Sequence, residues 1–342
     1  MEILTIYLPL RFINIWQLPL IPIIAFLGAG IIAYFLLKIG RKKKIIRAIA
    51  IVLISLNIIT YISVYTLTHF TQPGKIGLGI PRPTNSKLPT DIGLEYKRHS
   101  ISINQTESLE TWLIPASYSP ANGTVLLFPG LAGSKGKQLL APAKVFHTLN
   151  YDSLLVDFRG VGGSTGNTTT MGFREGKDVA IAFNYVKNLN IKQPIILYGI
   201  SMGSVAILKA IAEEKIAPDG IILELPFVRF LDAVKSRIKA VNIPSFPLAE
   251  MLVFWGSVQH GFNGFTHNPV TYAKQVKCAI LLLQGEDDKW IEMAEINELF
   301  QNFKGDKQLV IFPNAGHQLL VTVDKKLWQN SVEFFLESIP RL

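Results

Sequence analysis

The chain has 342 residues, 49% of them hydrophobic, and a mean hydropathy of +0.31, more apolar than a water-soluble domain usually is. Its formal charge is +9, and Lys38, Arg41, Lys42, Lys43, Lys44 and Arg47 supply most of it, with no aromatic-interleaved basic patch elsewhere, so the basic balance calls for no nucleic-acid partner. The single cysteine, Cys278, excludes an intramolecular disulfide, and the absence of a metal-ligand cluster, phosphate loop or dinucleotide fingerprint leaves no metal or cofactor expected.

In chain order, residues 12–37 and 48–68 carry no charge, and each stretch is long enough to cross a hydrocarbon core of about 30 Å as a helix. Core helices rarely run so far without a polar face. The expectation is a membrane anchor over residues 1–70 with two transmembrane helices, at about 13–37 and 45–68. Glu2, the length of the first stretch and the second span behind it argue against a cleaved signal peptide. The six cations fall in the short connection between the spans. The positive-inside rule puts that connection in the cytoplasm and everything after residue 70 on the extracytoplasmic side. Residues 71–91, rich in Pro and Gly, read as a linker or an irregular wrap.

Residues 92–342 suffice for one α/β domain. Segments 94–103 and 109–114 read as an opening hairpin. Short runs apolar on both faces follow at 125–128, 153–157, 195–198, 221–225, 279–283 and 309–312, as in strands of a sheet covered by helices. Helical patterns alternate with them at 138–149, 175–189, 201–215, 291–303 and 325–336. Such alternation predicts a doubly wound, mostly parallel sheet, whose ligand site lies at the carboxyl ends of the strands.

Strand 195–198 runs into Gly199-Ile200-Ser201-Met202-Gly203 and then a helix. That is the pattern of a nucleophile elbow, a turn so sharp that a Cβ at either glycine would clash. The pentapeptide also occurs at Gly162-Gly163-Ser164-Thr165-Gly166, where polar residues follow in place of a helix, so Ser201 is the candidate nucleophile. Other strand ends supply partners. Pro129-Gly130-Leu131-Ala132-Gly133 follows the strand at 125–128. The Leu131 N–H, with that of Met202, is the candidate oxyanion hole, against an ordinary glycine loop. Gln284-Gly285-Glu286-Asp287-Asp288 brings carboxylates to the end of strand 279–283, and His317 lies just beyond 309–312, where a general base belongs. His69, His99, His147, His260 and His267 fall at the membrane exit, in a strand, in a helix pattern and in the irregular segment after 226. They read as surface or packing residues.

With the elbow, the order Ser201, acid, His317 and Asp157-Phe158-Arg159-Gly160-Val161-Gly162-Gly163-Ser164, residues 92–342 resemble the α/β-hydrolase superfamily. The resemblance is to its serine aminopeptidase-like and dienelactone-hydrolase-like branch, many of whose members are membrane-anchored. It implies that Asp288, three residues after Gly285, is the triad acid, that Ser164 is structural, and that residues 226–275 form a small lid. It also makes Glu224 a second candidate acid, read here as a buried structural carboxylate. Pro129 stands where that branch usually has His, so the oxyanion loop is anchored differently.

The expected activity is hydrolysis of a carboxylic ester, with lipid esters and thioesters included, through an acyl-Ser201 intermediate, on a small-molecule or lipid acyl substrate. Amide or peptide hydrolysis uses the same residues. A catalytically silent binding module displayed by the anchor is the alternative of another class, and the intact Ser201, Asp288 and His317 set argues against it. The lid aromatics line an acyl pocket, face the bilayer or pack the lid onto the domain. The sequence carries no signal of oligomeric state.

Overall fold

The computed structural model describes residues 44–189 and 194–340. The first expected span, at 13–37, lies outside the described residues. The second is helix α1, Lys44–Thr68, of which Ile46–Thr68 is long and apolar enough to cross a membrane. Most of its apolar side chains, among them Ile49, Val52, Leu53 and Ile59, are exposed, as they would not be in the core of a soluble domain.

The expected linker is an ordered strap. Strands β1, Phe70–Thr71, and β2, Ile80–Pro81, pair in parallel, and His69 bridges to Thr168. Beyond them, Arg82 donates Nη1–H to the Gly166 carbonyl at 2.7 Å and also bonds the Ser164 carbonyl. Asn85 Oδ1 accepts from Gly136 N–H at 2.9 Å. The strap therefore belongs to the domain that it precedes.

An eight-stranded sheet follows. Its strands are β3 (Lys97–Ser102), β4 (Ser108–Ile114), β5 (Thr124–Phe128), β6 (Asp152–Val156), β7 (Ile195–Ile200), β8 (Gly220–Glu224), β9 (Ala279–Gly285) and β10 (Lys307–Phe312). They stand in the order β10-β9-β8-β7-β5-β6-β4-β3. All pairings from β6 to β10 are parallel, and the β3–β4 hairpin adds the two antiparallel ladders. The intervening helices are α2 (Leu140–Thr148), α3 (Glu175–Asn188) and α4 (Met202–Glu213). The lid carries α5 (Phe230–Lys239), α6 (Leu248–His260) and α7 (Pro269–Ala273). The last three are α8 (Met293–Asn302), α9 (Leu320–Val323) and α10 (Lys325–Glu337).

Alternate residues of the central strands face opposite layers. Leu126, Phe128, Leu197 and Leu223 pack with Val179, Phe183 and Val205 of α3 and α4. Val125, Leu127, Ile196 and Ile222 pack with Phe146, Trp328 and Phe335 of α2 and α10. Each such side chain contributes about 1.5–3 kcal/mol by leaving water. The doubly wound expectation therefore holds.

Strand order reverses at β5 and β7: β6 lies on one side of β5, and the chain then crosses to place β7 on the other. Ligand sites of open α/β sheets lie at such a reversal. The register pairs Phe128 with Gly199, so the loop after β5 runs beside the turn after β7.

Candidate active site

Ser201 is built into that turn. Its φ of 50° and ψ of −108° lie where an L-residue with a Cβ rarely rests. The surroundings hold it there. Ser201 N–H donates to the Glu224 carbonyl at 2.6 Å, and Ser204 Oγ donates to the Gly199 carbonyl at 2.6 Å. The flanking glycines are steric necessities: a Cβ on Gly199 would sit 2.5 Å from Ser204 N, and one on Gly203 2.5 Å from the Phe128 carbonyl oxygen.

His317, in the loop after β10, points Nε2 at Ser201 Oγ from 3.0 Å. Its Nδ1 lies 2.7 Å from Asp288 Oδ2, beyond β9. The Asp288 side chain is only 1% exposed, and it also accepts from Trp290 N–H at 2.9 Å and Gln284 Nε2 at 3.1 Å. Burial pushes its pKa up, but the His317 hydrogen bond and charge, with the other two donors, outweigh burial and hold the carboxyl below its usual range. Asp287, its exposed neighbour, donates its backbone N–H to the Ala315 carbonyl at 2.8 Å. The arrangement brings an alcohol, an imidazole and an ionised carboxylate into one hydrogen-bonded row.

Glu224 lies beneath this row at the end of β8. It accepts from Tyr198 Oη at 2.7 Å, Leu320 N–H at 2.8 Å and Trp328 Nε1 at 3.0 Å. Burial raises its pKa, and it joins β7, β8 and α10 as a structural carboxylate. Ser164 is likewise structural: its Oγ donates to the Asp157 carbonyl at 2.6 Å and accepts from Glu110 N–H at 2.8 Å. None of the rival histidines bonds Ser201. His147 Nδ1 meets the Pro115 carbonyl, His99 meets Tyr185, and His69 and His260 both meet Thr68. His267 is fully buried between Tyr272 Oη and the Met171 carbonyl, each at 3.0 Å.

The loop after β5 packs on the elbow. A Cβ on Gly130 would lie 3.5 Å from Ser201 Cβ. Among the described residues, no acceptor bonds the N–H of Leu131 or of Met202. Sequence reasoning missed what fixes this loop: Gln138 Oε1 accepts the Gly130 N–H at 2.8 Å, and the Gln138 amide lies against Gly133. It also missed Trp290, whose ring centre is 4.7 Å from that of His317, and Arg237 of the lid, 4.8 Å above the Trp290 ring. The available signals were weak: Gln138 opens a helix pattern, and Trp290 follows Asp288 by two residues.

Comparisons with known proteins point to the same fold. The serine aminopeptidase, S33, family profile matches residues 119–269, which hold Ser201, and the dienelactone hydrolase family profile matches residues 242–337, which hold Asp288 and His317. The chain has the α/β-hydrolase fold and resembles, over residues 119–337, the serine aminopeptidase and dienelactone hydrolase families. It is 28% identical to the uncharacterized protein YqkD of Bacillus subtilis, over 57% of this chain and 65% of that protein. It is 26% identical to lysophosphatidylserine lipase ABHD12 of Bos taurus, over 54% of this chain and 49% of the lipase. The match thus spans less than two thirds of either relative's length. The esterase Pf2001 of Pyrococcus furiosus shares the fold, with a TM-score of 0.64 at 21% identity, over 79% of this chain and 98% of the esterase.

Proposed function

We propose that this α/β-hydrolase cleaves carboxylic esters of lipids through an acyl-Ser201 intermediate. The observation that carries the reading is the row Ser201 Oγ, His317 Nε2 and Nδ1, and Asp288 Oδ2, with separations of 3.0 and 2.7 Å. Oγ attacks the ester carbonyl carbon as His317 Nε2 takes its proton. Asp288 holds the imidazole in the tautomer that leaves Nε2 free to accept and stabilises the imidazolium. The N–H groups of Met202 and Leu131 receive the oxyanion, the former with the α4 dipole behind it. Collapse of the tetrahedral intermediate expels the alcohol, which takes the proton from His317. Water, deprotonated by His317, then releases the acid and restores Ser201.

The lipid character of the substrate rests on α1 and on the lysophospholipid substrate named for the bovine relative. In this reading the anchor is a two-span hairpin within residues 1–70, and its basic connection is cytoplasmic. The hydrolase domain, 92–342 with its lid at 226–275, then faces the extracytoplasmic side, and the strap at 71–91 joins it to the anchor.

The test is a fluorophosphonate probe on membranes holding wild type or Ser201→Ala, followed by p-nitrophenyl esters of rising chain length beside peptide arylamides. Labelling of wild type alone, with ester turnover, is expected. Equal labelling of both proteins sinks Ser201 as nucleophile, and turnover of arylamides alone sinks the esterase reading.

A further inference from the structure

The lid presents an uncharged apolar rim beside the membrane helix. Residues 240–247, between α5 and α6, contain no charged side chain. Within them Val241, Ile243 and Phe246 are 64%, 47% and 75% exposed. Phe254 of α6 and Phe265 are exposed as well and, with Val258 and Phe262, line a cavity of about 370 Å³. Of the neighbouring lid charges, Lys235 pairs with Glu250 at 3.2 Å and Arg237 turns inward over Trp290, while Lys239, at the end of α5, is exposed. Contiguous apolar exposure of this kind marks an interaction surface.

The register between α1 and α6 says what the rim meets. His260 Nε2 bonds Thr68 Oγ1 at 2.8 Å, Gln259 Nε2 donates to the Tyr61 carbonyl at 2.8 Å, and Trp255 Nε1 donates to Asn57 Oδ1 at 3.2 Å. The Tyr61 and Trp255 rings meet edge-on at 5.3 Å. The two helices therefore run in the same sense, with the start of α6 lying toward the middle of α1. From Thr68 back to Asn57 a helix descends about 17 Å, roughly half of a hydrocarbon core of about 30 Å. Asn57 sits in the middle of the apolar stretch, where its amide must find partners within the protein. Trp255 supplies one, so the lid accompanies α1 to that depth. The rim at 241–246 precedes α6 and lies at the deep end.

We propose that the lid is a membrane-embedded element. Its rim at Val241, Ile243 and Phe246 contacts acyl chains around the bilayer midplane and delivers substrate tails to Ser201 from within the bilayer. Two charge-free faces, one on α1 and one on the lid, are then covered by the same lipid. The proposal rests on α1 being a membrane span and on the lipid-ester reading.

The full chain, carrying Cys278→Ser and one introduced cysteine, is labelled with an environment-sensitive fluorophore and reconstituted in phosphatidylcholine vesicles with or without acyl-chain-doxylated lipid. The sites are Phe246→Cys, Ile243→Cys, Ile51→Cys on α1, and Tyr118→Cys, which precedes β5 and so lies at the far end of the sheet from Ser201. Quenching at 51, 243 and 246 with none at 118 is the expected result. Quenching at 51 without quenching at 243 and 246 overturns the lid proposal and leaves the anchor standing. No quenching at 51 removes the anchor and the proposal with it. As a second readout, Ile243→Asp/Phe246→Asp loses turnover of a long-chain lipid ester in vesicles and keeps turnover of p-nitrophenyl butyrate. Equal loss on both substrates, or cross-linking of 246 to a second copy, overturns the proposal.

Discussion

Ser201 holds a backbone conformation that costs of the order of 1–3 kcal/mol, and four neighbouring features keep it there: the Glu224 carbonyl, Ser204, Gly199 and Gly203. The turn exposes Oγ to His317 and leaves the Met202 N–H at the first turn of α4 with no acceptor. The proposed complementary donor, at Leu131, depends on a loop whose anchor is Gln138. Removing that acceptor frees a stretch that must place one N–H to within a fraction of an ångström. Gln138→Ala is therefore expected to lower kcat by about 100-fold with little change in KM, since a small misplacement costs rate before it costs ground-state binding. Gln138→Glu keeps an acceptor oxygen and retains most of the rate. Steady-state kinetics on a soluble ester checks both, and an unaltered kcat in the alanine variant would remove Gln138 from the oxyanion machinery. Ser201, Asp288 and His317 could be read from sequence because each stands just after an apolar strand, and strand ends converge in a parallel sheet. Gln138, Trp290 and Arg237 could not, because each acts across a contact between segments that no periodicity links.

The strands and the body helices follow from their patterns, with ends displaced by one to three residues at most positions. The lid helices do not. Leu248–His260 packs against α1, against α5 and against the turn at Gly264–Thr266, so apolar residues lie on several of its sides and no 3.6-residue stripe emerges. Its attachment is also non-local. His267 closes the lid by joining Tyr272 to the Met171 carbonyl among the rings of Phe173, Phe227 and Phe230. Burial lowers its pKa from 6.5 to about 4, with the positive charge of Lys209 also opposing protonation and the Met171 bond favouring it. In the unfolded chain it titrates near 6.5. The stability it provides is thus fully present above pH 6.5 and is lost as pH falls toward 4, by on the order of 3 kcal/mol. Asp178 works in the opposite sense. Burial, offset in part by Arg159, raises its carboxyl to about 6, so its stabilising share is present below 3.8 and lost as pH rises through 6. The variant His267→Gln removes the first contribution and keeps the second. Between pH 7 and 4.5 the Tm of wild type is expected to fall more steeply than that of His267→Gln, followed by calorimetry in the same buffers. Parallel curves would show that His267 stays neutral in both states or is charged in both.

At the scale of the whole molecule, the charge distribution and the fold make one joint statement about sidedness. The cations at 38–47 lie before and within the first turn of a helix whose other end, at Thr68, is fastened to His260 of the lid and, through His69, to Thr168 of the body. No loose tether separates anchor from enzyme, since residues 71–91 are strapped onto the domain by Arg82 and Asn85. The hydrolase therefore lies on whichever side Thr68 emerges. In the topology proposed above, basic residues resist translocation, so the 38–47 end of α1 stays in the cytoplasm and Ser201 lies outside it. An alkaline phosphatase moiety fused after Leu342 is expected to be active and a green fluorescent protein fused there dark. The reverse pair of signals would put the domain in the cytoplasm. The proposed lid would then reach the bilayer midplane through the inner leaflet, because the α1–α6 register ties the Trp255–His260 part of α6 to the Thr68 half of the helix in either orientation.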